Sequence, residues 1–204
     1  MEYFFILGRN PELSRAEIFS YFECRGIDFK QILYKENFIV LSFEKDIKLD
    51  IQEFGGVLRL GKILFKGNLG NFKRFLEKEE VVPADKFKWS LFGNFPDVED
   101  WLIDKFKKER KKAMIRRGSK GIKNQGGEFL PLGNAEFQLF CFFQTEILFG
   151  LVEQDYDYAD SKKRDMQKPV RREELAISPR LAKILINLSQ VKPGQRLLDC
   201  FCGV

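Results

Sequence analysis

The residues of this chain that could do chemistry fall into two clusters, and neither contains a histidine, since the sequence has none. The first is LLDCFCGV at 197–204, which brings Asp199, Cys200, Cys202 and Gly203 together. A thiolate metal site wants about four soft ligands. Cys24 and Cys141 are far off in sequence, so no metal centre is expected. The same stretch also has the form of a strand running into a ligand loop: an apolar run, an Asp at its end, then a glycine that lets the backbone approach a ligand closely. Asp199, Phe201, Cys202 and Gly203 are the candidates for that loop. The cysteines themselves read as small packed residues, and no histidine exists to activate Cys24 or Cys141 as a nucleophile.

The second cluster is basic. Between Asp104 and Lys123 there are ten Lys or Arg and two acids, in a chain of net charge +5, so the rest of the chain is net acidic. Lys107, Lys108, Lys111, Lys112, Arg116, Arg117, Lys120 and Lys123 are the candidates for contacts to a polyanion. A Lys-rich helix face is often only a solvated surface. Here the charge is concentrated against an acidic remainder and continues into a Gly-rich loop at 118–127, where backbone N–H groups and side chains can reach phosphates together. No aromatic residue interrupts the run after Phe106, so recognition of phosphates and shape is expected, not base stacking. The short acidic run Asp155, Asp157, Asp160 lacks the glycine and closing glutamate of a calcium loop and reads as linker.

The elements that must position these clusters make an α+β chain. YFFILG reads as a strand, PELSRAEIFSYFECRG as a helix stopped by Gly26, and FKQILYKE with NFIVLSF as a hairpin turning at Glu36-Asn37. DIKLDIQEFG reads as a short second helix and VLRLGKILFKG as a closing strand. This β-α-β-β-α-β order is that of a ferredoxin-like unit over residues 1–66. A second unit, 67–156, reads as the helix NLGNFKRFLEKE, the strand KFKWSLFGN and a long helix from Pro96 to Arg117. That helix would turn Val98, Trp101, Leu102, Phe106 and Ala113 inward and Lys107, Lys108, Lys111 and Lys112 outward. Two Phe-rich strands, AEFQLFCFFQ and TEILFGLVEQ, close the unit. Most of the 22 Phe sit in such apolar runs and read as core.

Residues 157–177 are polar and charged, a linker. From 178 the chain changes again: Ser178 caps a helix with Pro179 at its first position, KPG turns, and RLLDCF reads as a strand. These residues, 178–204, look like the opening of an α/β domain. No stretch has the length of a membrane span, and the N-terminus has no basic segment before its apolar run. A cytoplasmic protein without membrane partners is the expectation.

The run RDMQKPVRREELAISPRLAKILINLSQVKPGQRLLDCFCGV resembles the linker and first catalytic elements of THUMP-containing RNA methyltransferases, most closely the archaeal-type tRNA guanine-N2 methyltransferases. Ser178, Pro179, Leu181 and Ala182 match the family's S-P-x-L-A helix. Asp199, Phe201, Cys202 and Gly203 match its D-x-F-C-G-x-G-T cofactor motif, with Cys200 where the family often has proline. The resemblance covers about 40 residues, and GRNPELSRAEI is similar to the family's first strand-to-helix turn. It implies a ferredoxin-like unit, a THUMP RNA-binding unit at 67–156, and the start of a Rossmann-type methyltransferase domain at 178–204. It further implies S-adenosylmethionine as cofactor, tRNA as partner through its acceptor stem and 3′ CCA end, and methyl transfer to the amine of a guanosine, usually guanosine 10. The D/N-P-P-Y-type catalytic motif is not in this chain, so no catalytic residue is expected here and the chain alone should neither bind the cofactor nor react. Either the chain is cut short or the gene is split and a separate catalytic chain completes it. Residues 178–204 are then expected to be disordered, irregularly docked or paired in trans. The alternatives are a non-catalytic RNA-binding adaptor and a fragment of a DNA methyltransferase. THUMP units of thiolation and pseudouridylation enzymes fit the C-terminal 40 residues less well.

Overall fold

The computed structural model describes residues 1–93, 97–117, 135–157, 177–192 and 194–199, with positions 159, 163 and 166. It is a mixed α+β chain of two compact units. One comprises Met1, Phe5–Leu60 and Gln154–Val204, the other Glu2–Phe4 and Gly61–Glu153.

In the first unit, β1 (Glu2–Leu7) leads to α1 (Pro11–Cys24), then β2 (Lys30–Lys35), β3 (Phe38–Ser42), a 3-10 turn (Ile51–Glu53) and the start of β4 (Val57–Gly67). The strand order here is β2-β3-β1-β4. Asn10 starts α1 by accepting the Leu13 N–H at 3.2 Å, Pro11 supplies a preset φ, and Ile18, Tyr21 and Phe22 recur on the buried face. The β2–β3 hairpin turns at Glu36-Asn37, with Glu36 at φ 50 and Lys35 opposite Phe38. Phe5, Phe22 and Phe54 meet edge-on or tilted at ring separations of 6.1–6.3 Å.

The expected second helix over 46–55 is only the 3-10 turn. The Gln154 side chain accepts from Ile51 N–H at 2.7 Å and donates to Leu49 C=O at 2.7 Å, so the backbone groups a helix would use are already bonded. Beside α1 lies instead α4 (Pro179–Leu188), capped by Ser178. Arg180 Nε donates to Gly55 C=O at 2.6 Å, Asn187 Nδ2 to Glu53 C=O at 2.9 Å, and Lys183 Nζ to Gln52 C=O. The expectation of disorder or irregular docking from 178 onward is therefore corrected for this helix, which is held by specific bonds. The strand expected at RLLDCF is absent from its described part. Arg196–Asp199 belong to no strand, and Leu198 is 83% exposed.

The second unit holds the rest of β4, α2 (Leu69–Lys78), β5 (Lys86–Gly93), α3 (Asp97–Lys108), β6 (Lys112–Ile115), β7 (Phe137–Phe143) and β8 (Ile147–Asp155), with strand order β4-β8-β7-β5-β6. Strand β5 is parallel to β6 and β7, and β7 is antiparallel to β8. One sheet face packs Phe87, Trp89, Leu139 and Phe149 against Phe72, Leu76, Leu102 and Phe106 of α2 and α3. On the other face the Phe4 ring lies over Gly61 and Gly150, where an added Cβ would come within 2.6 and 2.8 Å of it, and stacks on Phe140 at 4.7 Å.

The long helix expected from Pro96 to Arg117 stops at Lys108. Arg110 turns the chain with φ 57 while Lys111 N–H reaches back to Phe106 C=O at 2.9 Å, a left-handed helix end. Residues 112–115 then pair with β5, Lys86 opposite Lys112 and Trp89 opposite Ile115, and Ala113 and Ile115 join the core. Lys, Ala and Met favour a helix, but packing two apolar side chains at period two against a waiting strand outweighs that preference.

Candidate nucleic-acid interface

Ending α3 at Lys108 redistributes the basic cluster. Lys105 and Lys111 turn inward. Lys105 Nζ donates to Leu76 C=O at 2.6 Å, Glu79 C=O at 2.7 Å and Glu109 Oε1 at 2.6 Å, so it caps the C-terminus of α2 where free carbonyls and the helix dipole favour a cation. Lys111, its side chain 6% exposed, donates to Val82 C=O and to Glu80 Oε1 at 2.6 Å. Arg117 gives Nε and Nη2 to one Glu99 oxygen at 2.9 and 2.8 Å. Lys107 and Lys108 are exposed on the last turn of α3, and Lys112 and Arg116 are exposed along β6 and just beyond it. Lys120 and Lys123 lie outside the described residues.

Accessible cations thus occupy two different surfaces of the second unit. Lys107 and Lys108 belong to the helical layer. Lys112, Met114 and Arg116 alternate with the core residues Ala113 and Ile115 and so face away from the helices. By the same alternation Lys86 and Lys88 of β5 share that outward face, because Phe87 and Trp89 point into the core. In register, Lys86 stands opposite Lys112 and Lys88 opposite Met114, and Arg116 N–H donates to Trp89 C=O at 2.6 Å, carrying the ladder one step further. Lys86, Lys88, Lys112 and Arg116 make no side-chain hydrogen bond or ion pair among the described residues. Met114 is 54% exposed between the two cations of its strand. Two exposed acids neighbour these cations: Asp85, directly before Lys86, whose C=O accepts from Lys112 N–H at 2.6 Å, and Glu136, whose N–H bonds Lys88 C=O at 2.8 Å. Sequence reading passed over Lys86 and Lys88. The alternation in KFKW was the signal, but two lysines far in sequence from the basic run carry no weight until β6 is placed beside them.

Of the expected cofactor segment, Phe201, Cys202 and Gly203 lie outside the described residues, as does Cys200. Asp199 is exposed and belongs to no strand, so no cofactor-holding loop is formed among the described residues. No group of three or more metal-ligating side chains occurs among them either. Cys141 is buried, and burial pushes its thiol up to about 12, which leaves it protonated and inert at neutral pH. Cys24 Sγ lies 3.2 Å from Gln190 C=O.

Among the described residues of the first unit one carboxylate is buried. Glu17 is 0% exposed and accepts from Gly55 N–H and Gly56 N–H at 2.7 Å each and from Asn187 Nδ2 at 2.8 Å. Burial raises its pKa above the ordinary carboxylate value, and the bonds from Gly55, Asn187 and Gly56 together with the charge of Arg180 oppose that rise. Its role is to tie α1, the 55–56 loop and α4 to one another.

No protein-family model and no curated protein sequence matches the chain. Solved structures do. TrmN from Thermus thermophilus matches over 95% of this chain and 56% of its own length, with a TM-score of 0.57 at 10% identity. A 4-thiouridine synthetase, solved with RNA and ATP, matches over 77% of this chain and 42% of its own, with a TM-score of 0.48 at 13% identity. A possible methylase from Clostridium difficile 630 matches over 91% and 48%, with a TM-score of 0.43 at 10% identity. The chain spans about half the length of these proteins, and with TrmN it shares a fold. Among the described residues no helix is long and apolar enough to cross a membrane.

Proposed function

We propose that this chain is the RNA-binding part of an archaeal-type, THUMP-containing tRNA guanosine N2-methyltransferase that works in the cytoplasm and acts on guanosine 10. In this reading the second unit grips the acceptor stem and the single-stranded 3′ CCA end, and the distance from that end selects the base. The observation that carries the RNA-binding part is the set of accessible cations on the second unit that have no side-chain partner among the described residues, in a chain whose residues outside 104–123 are net acidic. The methyltransferase part is supported by the S-P-x-L-A residues, which cap and open α4, and by the fold shared with TrmN. S-adenosylmethionine would supply the methyl group when bound. Lys111 is held inside the second unit, and Lys107, Lys108, Lys112, Arg116 and Arg117 are the surface members of the basic segment proposed to face the nucleic acid.

The test is binding of the intact chain to a tRNA with and without its CCA end across a salt series. Affinity that falls when the CCA is removed supports the reading. Equal binding to both tRNAs would reduce the surface to a general polyanion site and overturn the acceptor-end role.

A further inference from the structure

We propose that the outward face of the β5–β6 pair is the phosphate-binding track of the second unit, built from Lys86, Lys88, Lys112 and Arg116, and that its ligand is the backbone of a single RNA strand. The proposal rests on the reading of this chain as RNA-binding and names the surface that does it.

Three observations carry it. Lys86 and Lys112 are register partners on adjacent parallel strands and point to the same face. Like charges directly opposite each other weaken a sheet, so the pair is a cost to the free protein that an anion would relieve. None of the four cations has a side-chain partner among the described residues, although Lys105, Lys111 and Arg117 of the same basic run all do. Alternate residues of a strand stand roughly 6.6 Å apart on one face and neighbouring strands about 4.8 Å apart, so the four charges form a compact two-row track. Met114, exposed between Lys112 and Arg116, adds an apolar surface to a track otherwise lined by charge.

A duplex is not the occupant favoured here. The charges lie in two adjacent rows on one face of a two-strand pair, too narrow to span two backbones across a groove, and a flexible single strand can follow such a track. Lys107 and Lys108, in the helical layer, are outside the track. Asp85 and Glu136 sit at its margins and set the local limit on its positive charge.

The test compares the full chain with a variant carrying Lys86→Gln, Lys88→Gln, Lys112→Gln and Arg116→Gln, binding a tRNA with an intact 3′ end. A second variant, Lys45→Gln with Lys48→Gln on the first unit, serves as control. The track variant should lose affinity on the order of 100-fold at 0.1 M salt, and its salt slope should flatten by about 3, from roughly 0.7 per single-strand phosphate contact. The control should keep both. The single change Lys86→Gln should also raise the melting temperature of the free protein by about 1–2 °C by removing the like-charge pair, which checks at the same time that the fold survives. If wild type binds tRNA and the folded track variant binds it equally well with the same slope, the track is wrong while the RNA-binding reading stands. Were the wild type itself not to bind, both would fall together.

Discussion

Replacing Lys105 with Met should destabilise the second unit although it removes a lysine from a segment that is lysine-rich and looks solvated. Lys105 is 7% exposed, and its ammonium donates three charge-assisted hydrogen bonds of 2.6–2.7 Å, to Leu76 C=O, Glu79 C=O and Glu109. Methionine fills much the same volume, so little cavity forms. The change strands the last-turn carbonyls of α2 in a buried setting and leaves Glu109 without this partner. Hydrogen bonds to charged groups contribute about 1.5–3 kcal/mol each, and relief of the ammonium's desolvation offsets part of that, so the net loss works out at about 2–4 kcal/mol. Urea unfolding followed by Trp fluorescence reports it directly, since Trp89 and Trp101 both sit in this unit's packing. Lys107→Met, on the exposed last turn of α3, is the matched comparison and should change stability by no more than about 0.5 kcal/mol. If Lys105→Met and Lys107→Met unfold at the same urea concentration, Lys105 is not the cap of α2 and the inward placement of the basic run is mistaken.

Glu17→Gln should cost about 1–3 kcal/mol, because Gly55 N–H and Gly56 N–H bond different carboxylate oxygens and the amide turns one of those acceptors into a donor. The pH dependence separates this from ordinary packing loss. Since the folded pKa of Glu17 is raised, the native state binds its proton more tightly than the unfolded chain, so stability falls as pH rises from the unfolded carboxylate value through the folded one and is level above it. Across that window the stability of wild type should fall more with rising pH than that of Glu17→Gln, the difference being the contribution of Glu17. Arg110→Gly should hold or raise stability by up to about 1 kcal/mol, because φ 57 suits glycine, and denaturant midpoints will show a drop instead if the left-handed helix end is misplaced.

Much of the local structure was legible because local rules and packing agreed. Pro11 after Asn10, the Glu36-Asn37 turn and the Phe-rich pair flanking Gln144–Glu146 each carry a start, a stop and a period that point the same way. The failures share a cause. At 109–115 the residues prefer a helix, and only the open edge of β5, distant in sequence, converts them to strand. At 49–51 the competing partner is Gln154, about a hundred residues away, and the same separation hid the seat of α4 beside α1. The candidate site suffered most. Charge counted along the chain grouped Lys105, Lys111 and Arg117 with the free cations, although all three are bound to acids in the fold, and it left out Lys86 and Lys88, which only β-sheet register brings in.

Amine labelling of the chain with and without saturating tRNA, read out lysine by lysine, tests the account most directly. Bound tRNA should protect Lys86, Lys88 and Lys112 and leave Lys45 and Lys48 as reactive as before. Protection confined to other lysines, with those three unchanged while tRNA is bound, would contradict it.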